Sequence, residues 1–203
     1  MSGVPLAGVV FSLYDKENEF VQEAISDSNG VATFVHIGVG TYSIKETQTI
    51  DGYIRNTFVV KGVVVKQSTT EDVVIVSVED TFINYQGIFE VKKLDNKGEA
   101  LSKVSFDLYS NLQSTPLRSN LISDVNGLIR IENLAPGSYY LVETASSEGH
   151  IIDNTNIWFT IEAEANGIPV VEQRPVSNFK GSLKLTKTNE EGVLLPGVEY
   201  GLY

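Results

Sequence analysis

The chain repeats itself at the length of a domain. Gly40-Thr41-Tyr42-Ser43-Ile44-Lys45-Glu46-Thr47 returns as Gly137-Ser138-Tyr139-Tyr140-Leu141-Val142-Glu143-Thr144, 97 residues on (143 minus 46). Asn84-Tyr85-Gln86-Gly87-Ile88-Phe89-Glu90-Val91-Lys92-Lys93 returns as Asn178-Phe179-Lys180-Gly181-Ser182-Leu183-Lys184-Leu185-Thr186-Lys187, 94 residues on (178 minus 84). Pro5 to Tyr14 matches Leu195 to Tyr203 and places the start of a third copy at the C-terminus. A unit this long holds its own core, unlike a short solenoid repeat. The chain therefore divides into a copy lacking its first strand (1–84), a complete copy (85–179) and the opening of a third (180–203). Such an array points to a spacer or scaffold before it points to an enzyme. The joints, Tyr85-Gln86 and Phe179-Lys180, are too short for free hinging, which predicts units in line.

Within a copy the texture is all-β. Runs rich in Val, Ile, Thr, Phe and Tyr alternate with clusters of Gly, Asn, Asp and Pro. In the complete copy strands are predicted at 87–94, 103–109, 117–122, 128–132, 138–144, 155–162 and 169–178. Turns are predicted at Asp95-Asn96-Lys97-Gly98, Asp124-Val125-Asn126-Gly127, Ala135-Pro136-Gly137 and Ala165-Asn166-Gly167. Seven short strands in one unit suggest a two-sheet β-sandwich. The one weakly helical stretch is 17–24. The first copy has only five residues ahead of Leu6, whereas residues 87–100, including a full strand, precede Leu101. Its sheet should carry an open edge.

Composition narrows the function. An apolar fraction of 42% suits a globular chain. A net charge of −11 with no basic run argues against nucleic acid or an anionic membrane as partner. There is no cysteine, which excludes disulfides, thiolate metal sites and a cysteine nucleophile. No apolar run reaches the length of a membrane span and no signal-peptide pattern opens the chain.

Strand parity then places three polar residues on the inside. Side chains alternate faces along a strand. Phe89, Val91 and Lys93 share the apolar face, as do Leu183, Leu185 and Lys187. Tyr139 and Leu141 align with Glu143, and Tyr42 and Ile44 with Glu46. Val176 aligns with Asn178, and Phe82 with Asn84. Burying polar groups is costly unless they pair. A Lys, a Glu and an Asn converging in a core can satisfy one another, or react. Desolvation favours the neutral amine, a nucleophile, and the protonated carboxyl. Such a carboxyl can polarise the amide carbonyl and shuttle the proton, giving a Lys–Asn isopeptide bond with loss of ammonia.

The order of these elements resembles the Cna B-type (SpaA-like, prealbumin-like) repeat of Gram-positive surface proteins and pilins. Lys93-Leu94-Asp95, Phe106-Asp107-Leu108-Tyr109, Asp124-Val125-Asn126-Gly127, Leu134-Ala135-Pro136-Gly137-Ser138-Tyr139, Glu143-Thr144 and Asn178 carry the likeness. It implies tandem prealbumin-like, inverse-Ig-like β-sandwich domains and an autocatalytic intramolecular isopeptide bond. By that resemblance Lys93 and Asn178 form the bond and Glu143 assists. Glu46 with Asn84, and Lys187 alone, are incomplete triads. The implied role is a cell-wall or pilus stalk, extracellular, not an enzyme and without cofactor or metal. Its partners would be neighbouring repeats, with export and anchoring signals lying outside the 203 residues.

Other nominees are weaker. Residues 26–30 and 124–127 lack the ligand set of a calcium loop and read as hairpin turns. His36 and His150 occupy non-equivalent places without clustered ligands. Trp158 shares parity with Asn154, Asn156 and Thr160 and is expected to be partly exposed. The rival reading is an adhesin module recognising host extracellular matrix or glycan through loops, whose signature is an exposed patch that differs between copies. A hydrolase of prealbumin-like fold would need clustered His and Arg, which the chain lacks. Finally, 181–203 carries the strand and lysine that the first copy lacks, so head-to-tail strand complementation between molecules is an available partner mode.

Overall fold

The structure, a computed structural model, describes residues 4–67, 76, 78, 82–166 and 172–201. Among these residues there are strands and no helix. In the first copy β1 (Val10–Tyr14), β2 (Phe20–Ile25), β3 (Gly40–Gln48) and β5 (Val59–Val65) form a sheet ordered β2-β1-β3-β5. β4 (Arg55–Asn56) stands apart from it. In the second copy β7 (Ser105–Ser110), β8 (Arg118–Ile122), β10 (Gly137–Ala145) and β11 (Ile157–Ile161) form the same arrangement, ordered β11-β10-β7-β8. β6 (Gly87–Asp95), β9 (Leu128–Leu134) and β13 (Glu172–Asn178) form the facing sheet, ordered β13-β6-β9.

β6 is the middle strand of that facing sheet, antiparallel to β9 and parallel to β13. A parallel pair needs a long crossover, and here the whole second copy is the crossover. Phe89, Val91, Ile129 and Ile131 from this sheet meet Phe106, Leu108, Leu141 and Phe159 from the other in one buried cluster. Phe89 lies flat on Phe159 with ring centroids 3.7 Å apart. Tyr139 donates its hydroxyl to the Ala135 carbonyl at 2.8 Å, and Tyr42 does the same to Gly38 at 2.9 Å. The repeated Gly-x-Tyr segment thus ties each β10-type strand to the turn before it.

Among the described residues of the first copy none forms a strand in the place of β6. Residues 31–37, which match β9, form no strand. Val31 and Val35 remain about half exposed. In the second copy the ladder partner of β9 is β6; without one, the segment has no backbone bonds to gain by extending. Among the described residues the buried apolar cluster there consists of Leu13, Ile44 and Val60. Of residues 78–84, matching β13, only 78 and 82–84 are described. Residues 180–201 form no named strand, only isolated bridges His150–Lys180 and Thr188–Leu194.

The copies are joined end to end. Ile54 enters the second copy's buried cluster, and its N–H donates to the Tyr85 carbonyl at 2.8 Å. β4 pairs in parallel with β12 (Glu164–Ala165). Arg55 reaches Glu164 at 2.6 Å. These contacts lie at the Gly87 end of β6.

One expectation needs correction. Residues 17–24 are not helical: β2 starts at Phe20 and pairs antiparallel with β1. Asn18 sits in the left-handed region (φ 65°), and Asp15 Oδ1 accepts from the N–H groups of Glu17 and Glu19. A hairpin turn closed by its own carboxylate outcompetes one turn of helix. The strand predicted at 169–178 is β13 from Glu172; its first three positions, 169–171, lie outside the described residues.

The calcium-like loops are turns of the same kind. Asp124 Oδ1 accepts from Asn126 and Leu128, and Asp27 Oδ1 from Asn29 and Val31. These backbone N–H groups hold both carboxyls below the usual range. Gly127 ends the first of them at φ 74°, and a Cβ there would collide with the Lys93 carbonyl oxygen. Gly127→Ala is therefore expected to destabilise the second copy by about 1–3 kcal/mol. A lower urea midpoint at unchanged m-value would register it.

Candidate functional site

The second copy holds a closed polar site at one end of its core. Lys93 comes from β6, Asn178 from the adjacent β13 and Glu143 from β10 in the facing sheet. The parallel register sets Val176 against Lys93 and Asn178 against Asp95, so Lys93 and Asn178 share the inward face two positions apart. Their relative exposures are 0% for Lys93, 4% for Glu143 and 0% for Asn178.

Glu143 bridges the other two. Its Oε2 lies 2.9 Å from Lys93 Nζ, and its Oε1 accepts from Asn178 Nδ2 at 2.5 Å. Asn178 Nδ2 also donates to Ser146 Oγ at 2.5 Å. The Phe106 ring, 5.6 Å from Lys93 Nζ, closes the apolar side. Among the described residues Asn178 Oδ1 is buried without a hydrogen-bond partner, and the Glu143 carboxylate is the salt-bridge partner of Lys93 Nζ. Desolvating an ion pair costs several kcal/mol per ion, so such a site is a poor stabiliser as it stands. Chemically it is poised. A carboxylate touching both an amine and an amide can take a proton from one through Oε2 and pass it to the other through Oε1.

One detail differs from the expectation that the carboxyl would polarise the amide carbonyl. The structure turns Asn178 Nδ2, not Oδ1, toward Glu143. An ionised carboxylate only accepts, and Nδ2 is the donor side of the amide. The carboxylate therefore sits beside the leaving nitrogen. Sequence reasoning also missed Ser146. The signal was present: Ser146 and Thr49 stand three residues after Glu143 and Glu46, at the same offset of 97 (146 minus 49).

The first copy holds the matching half. Glu46 is fully buried, and its Oε1 accepts from Asn84 Nδ2 at 2.7 Å. Asn84, half-buried, donates as well to the Ile54 carbonyl at 3.0 Å. Glu46 Oε2 makes no hydrogen bond of ordinary geometry among the described residues, while the Asn56 N–H and the Thr49 hydroxyl approach the carboxyl. Burial raises the Glu46 pKa, with the Asn84 amide the largest opposing influence. The sign follows. A folded-state pKa above the unfolded value favours the fold at low pH, and that contribution is lost as pH rises through the raised value. Glu46→Gln should accordingly flatten the pH dependence of the first copy's stability above pH ~4.5, the ordinary carboxylate range. Urea midpoints from pH 4 to 8 on wild type and variant would show it, the wild type falling with pH and the variant not. Lys187 is exposed, in the segment that forms no strand.

No group of three His, Cys, Asp or Glu among the described residues could hold a metal, and His36 and His150 are not brought together with ligands. No helix among them is long and apolar enough to cross a membrane. Trp158 is half exposed.

Comparison with known proteins gives a family and several partial likenesses. A family model described as SpaA, prealbumin-like fold domain, matches residues 1–79 and 87–174. The trypsin-resistant surface T6 protein of Streptococcus pyogenes serotype M6 is 35% identical over 57 residues, 28% of this chain. The chain spans 11% of that relative's length. Among solved structures, the Bacillus anthracis TIE protein is similar over 86% of this chain and 31% of its own, at 20% identity and a TM-score of 0.48. The minor pilin GBS52 of Streptococcus agalactiae is similar over 93% and 89%, at 20% identity and a TM-score of 0.44. The major pilin subunit BcpA of Bacillus cereus is similar over 45% and 28%, at 28% identity and a TM-score of 0.41.

Proposed function

Because the chain belongs to the SpaA prealbumin-like fold domain family, we propose that it is a load-bearing spacer of a Gram-positive surface protein or pilus. It works outside the cell, at the wall, with its neighbouring repeats as partners. The division into units 1–84, 85–179 and 180–203 is part of this reading. The observation that carries it is the buried contact of Lys93, Glu143 and Asn178 across the first and last strands of the second copy.

The chemistry is self-directed and single-turnover. Lys93 loses a proton to Glu143, and the neutral Nζ attacks Asn178 Cγ. Glu143 returns that proton to Nδ2 and takes a second one from the attached Nζ as the Cγ–Nδ2 bond breaks, so ammonia leaves, the new amide keeps one N–H and Glu143 ends protonated. The new amide joins β6 to β13, so tension entering at one strand leaves through the other without unzipping those between. No cofactor is needed, and the chain is not an enzyme in the turnover sense.

The test is the intact mass under denaturing conditions. A deficit of about 17 Da, one ammonia, is expected, and it should vanish in Lys93→Ala and in Asn178→Ala. An unmodified mass in the wild type would overturn the cross-link.

The adhesin reading has one observation in its favour. Tyr109, Tyr140 and Trp158 stack across β7, β10 and β11 on the outer face, with centroids 5.0 and 4.6 Å apart. In the first copy the matching pair is Tyr14 against Ser43. The rings pack on one another, which stabilises the sheet itself, so the spacer reading is kept. Binding of glycans or matrix proteins, lost in Trp158→Ala, would restore the rival.

A further inference from the structure

We infer that Ser146 is a further catalytic residue of the cross-linking reaction: with Glu143 it takes both hydrogens of Asn178 Nδ2 and so fixes which end of the amide faces the proton carrier. The inference rests on the cross-link reading of the second copy and gives a role to a residue that reading leaves unused.

The nitrogen is held on both sides. A primary amide nitrogen carries two hydrogens, and its oxygen carries none. One Nδ2 hydrogen of Asn178 goes to Glu143 Oε1 and the other to Ser146 Oγ, each at 2.5 Å. Both acceptors come from one stretch of chain, the end of β10 and the residue just past it.

A regular strand would not bring them together. Residues three apart face opposite sides of a sheet. The β10 ladder is irregular at this point: Glu143 opposes Phe106 and Ala145 opposes Ser105, so Thr144 is an extra residue on the β10 side. A bulge of this kind re-aims the side chains that follow it. The chain beyond is then tied down. Ser147 Oγ donates to the Ser102 carbonyl, and the Ile151 N–H donates to the Phe179 carbonyl at 2.9 Å. Phe179 follows Asn178 directly, so the segment that carries Ser146 is bonded to the strand that carries the amide.

The first copy repeats the bulge and uses its hydroxyl differently. Glu46 opposes Phe11 and Gln48 opposes Val10, which leaves Thr47 over, at the place of Thr144. Thr49 stands at the place of Ser146. Its hydroxyl approaches the Glu46 carboxyl, and Asn84 Nδ2 gives a hydrogen to the Ile54 carbonyl at 3.0 Å. In the second copy the hydroxyl touches the amide nitrogen instead.

The second acceptor matters because Glu143 changes character during the reaction. As a carboxylate it can only accept, and it selects Nδ2. Once it holds the Lys93 proton it can donate, and an amide turned about Cβ–Cγ would offer it Oδ1. The proton would then be returned to oxygen, and the nitrogen would stay. With Ser146 in place, turning the amide breaks two hydrogen bonds rather than one. Ser146 itself gains and loses no proton. The Nζ–Cγ bond forms and the Cγ–Nδ2 bond breaks. Ammonia leaves with its own two hydrogens and the one that Glu143 returns, and Glu143 keeps the second proton from Nζ.

The experiment uses the full chain, made by cell-free translation, quenched in denaturant at intervals and weighed. The fraction lacking about 17 Da gives the rate of ammonia loss, and a pulse of protease before each quench shows when the chain has folded. Ser146→Ala should fold on the wild-type schedule and lose ammonia about 10–100-fold more slowly, the cost of a misplaced reacting group. Ser146→Thr, which supplies the hydroxyl found at this place in the first copy, should recover most of the rate. In the Asn178→Ala chain, where no bond can form, adding Ser146→Ala should leave the urea midpoint unchanged. A wild-type rate in Ser146→Ala overturns this inference alone, and so does a threonine variant as slow as the alanine one. A lower midpoint in the double variant would make Ser146 a support of the fold and overturn its part in the reaction. A wild-type chain that keeps its full mass overturns the cross-link itself, and this inference with it.

Discussion

Asn178→Ala is expected to lower the thermal midpoint of the second copy by about 20 °C or more, because a domain of this size loses roughly 4–8 °C per kcal/mol. The magnitude comes from the loop that the cross-link closes, 85 residues (178 minus 93). The chain-entropy relation for cross-links gives about 4–5 kcal/mol for a loop of that length. Asn178 is the better position to replace than Lys93. Alanine at 178 keeps the Lys93–Glu143 ion pair at 2.9 Å, so the loss reports the bond and not an orphaned charge. Calorimetry on wild type and variant, with the mass of each measured on the same sample, ties the shift to the missing ammonia. Equal midpoints with an intact wild-type deficit would mean that the bond bears load without stabilising the fold.

Glu143→Ala is expected to cost more still. It removes the proton carrier between Lys93 and Asn178, so the chain should keep its full mass. It also leaves Lys93, buried at 0% exposure, without its ion-pair partner, and stranding one member of a buried pair costs about 3–5 kcal/mol. The order of stability should thus be wild type, then Asn178→Ala, then Glu143→Ala. Glu143→Gln separates the two contributions, since it keeps the volume and an acceptor for Asn178 Nδ2 but carries no proton. Its mass should be unmodified. A full ammonia deficit in Glu143→Gln would remove Glu143 from the proton path and leave it a purely electrostatic part.

The chain is also one that the proposed cross-link would suit. It has no cysteine, so no disulfide can bind its first strand to its last. An amide formed inside a closed core depends on no external oxidant and is not reversed by thiols.

The repeat, the all-β texture and the inward parity of Lys93, Glu143 and Asn178 are legible in the sequence, because alternation along a strand is a local property of the backbone. What tertiary structure alone decided is which of these inward residues meet. Lys93 and Asn178 are neighbours because β6 and β13 are parallel partners, and Glu143 reaches both because it projects from the facing sheet. The turn of the Asn178 amide, the second acceptor at Ser146 and the burial of Ile54 in the neighbouring copy were likewise beyond the sequence. Each depends on groups far apart along the chain and close in space. Periodicity states which face a side chain takes; strand order and sheet packing determine what stands opposite it.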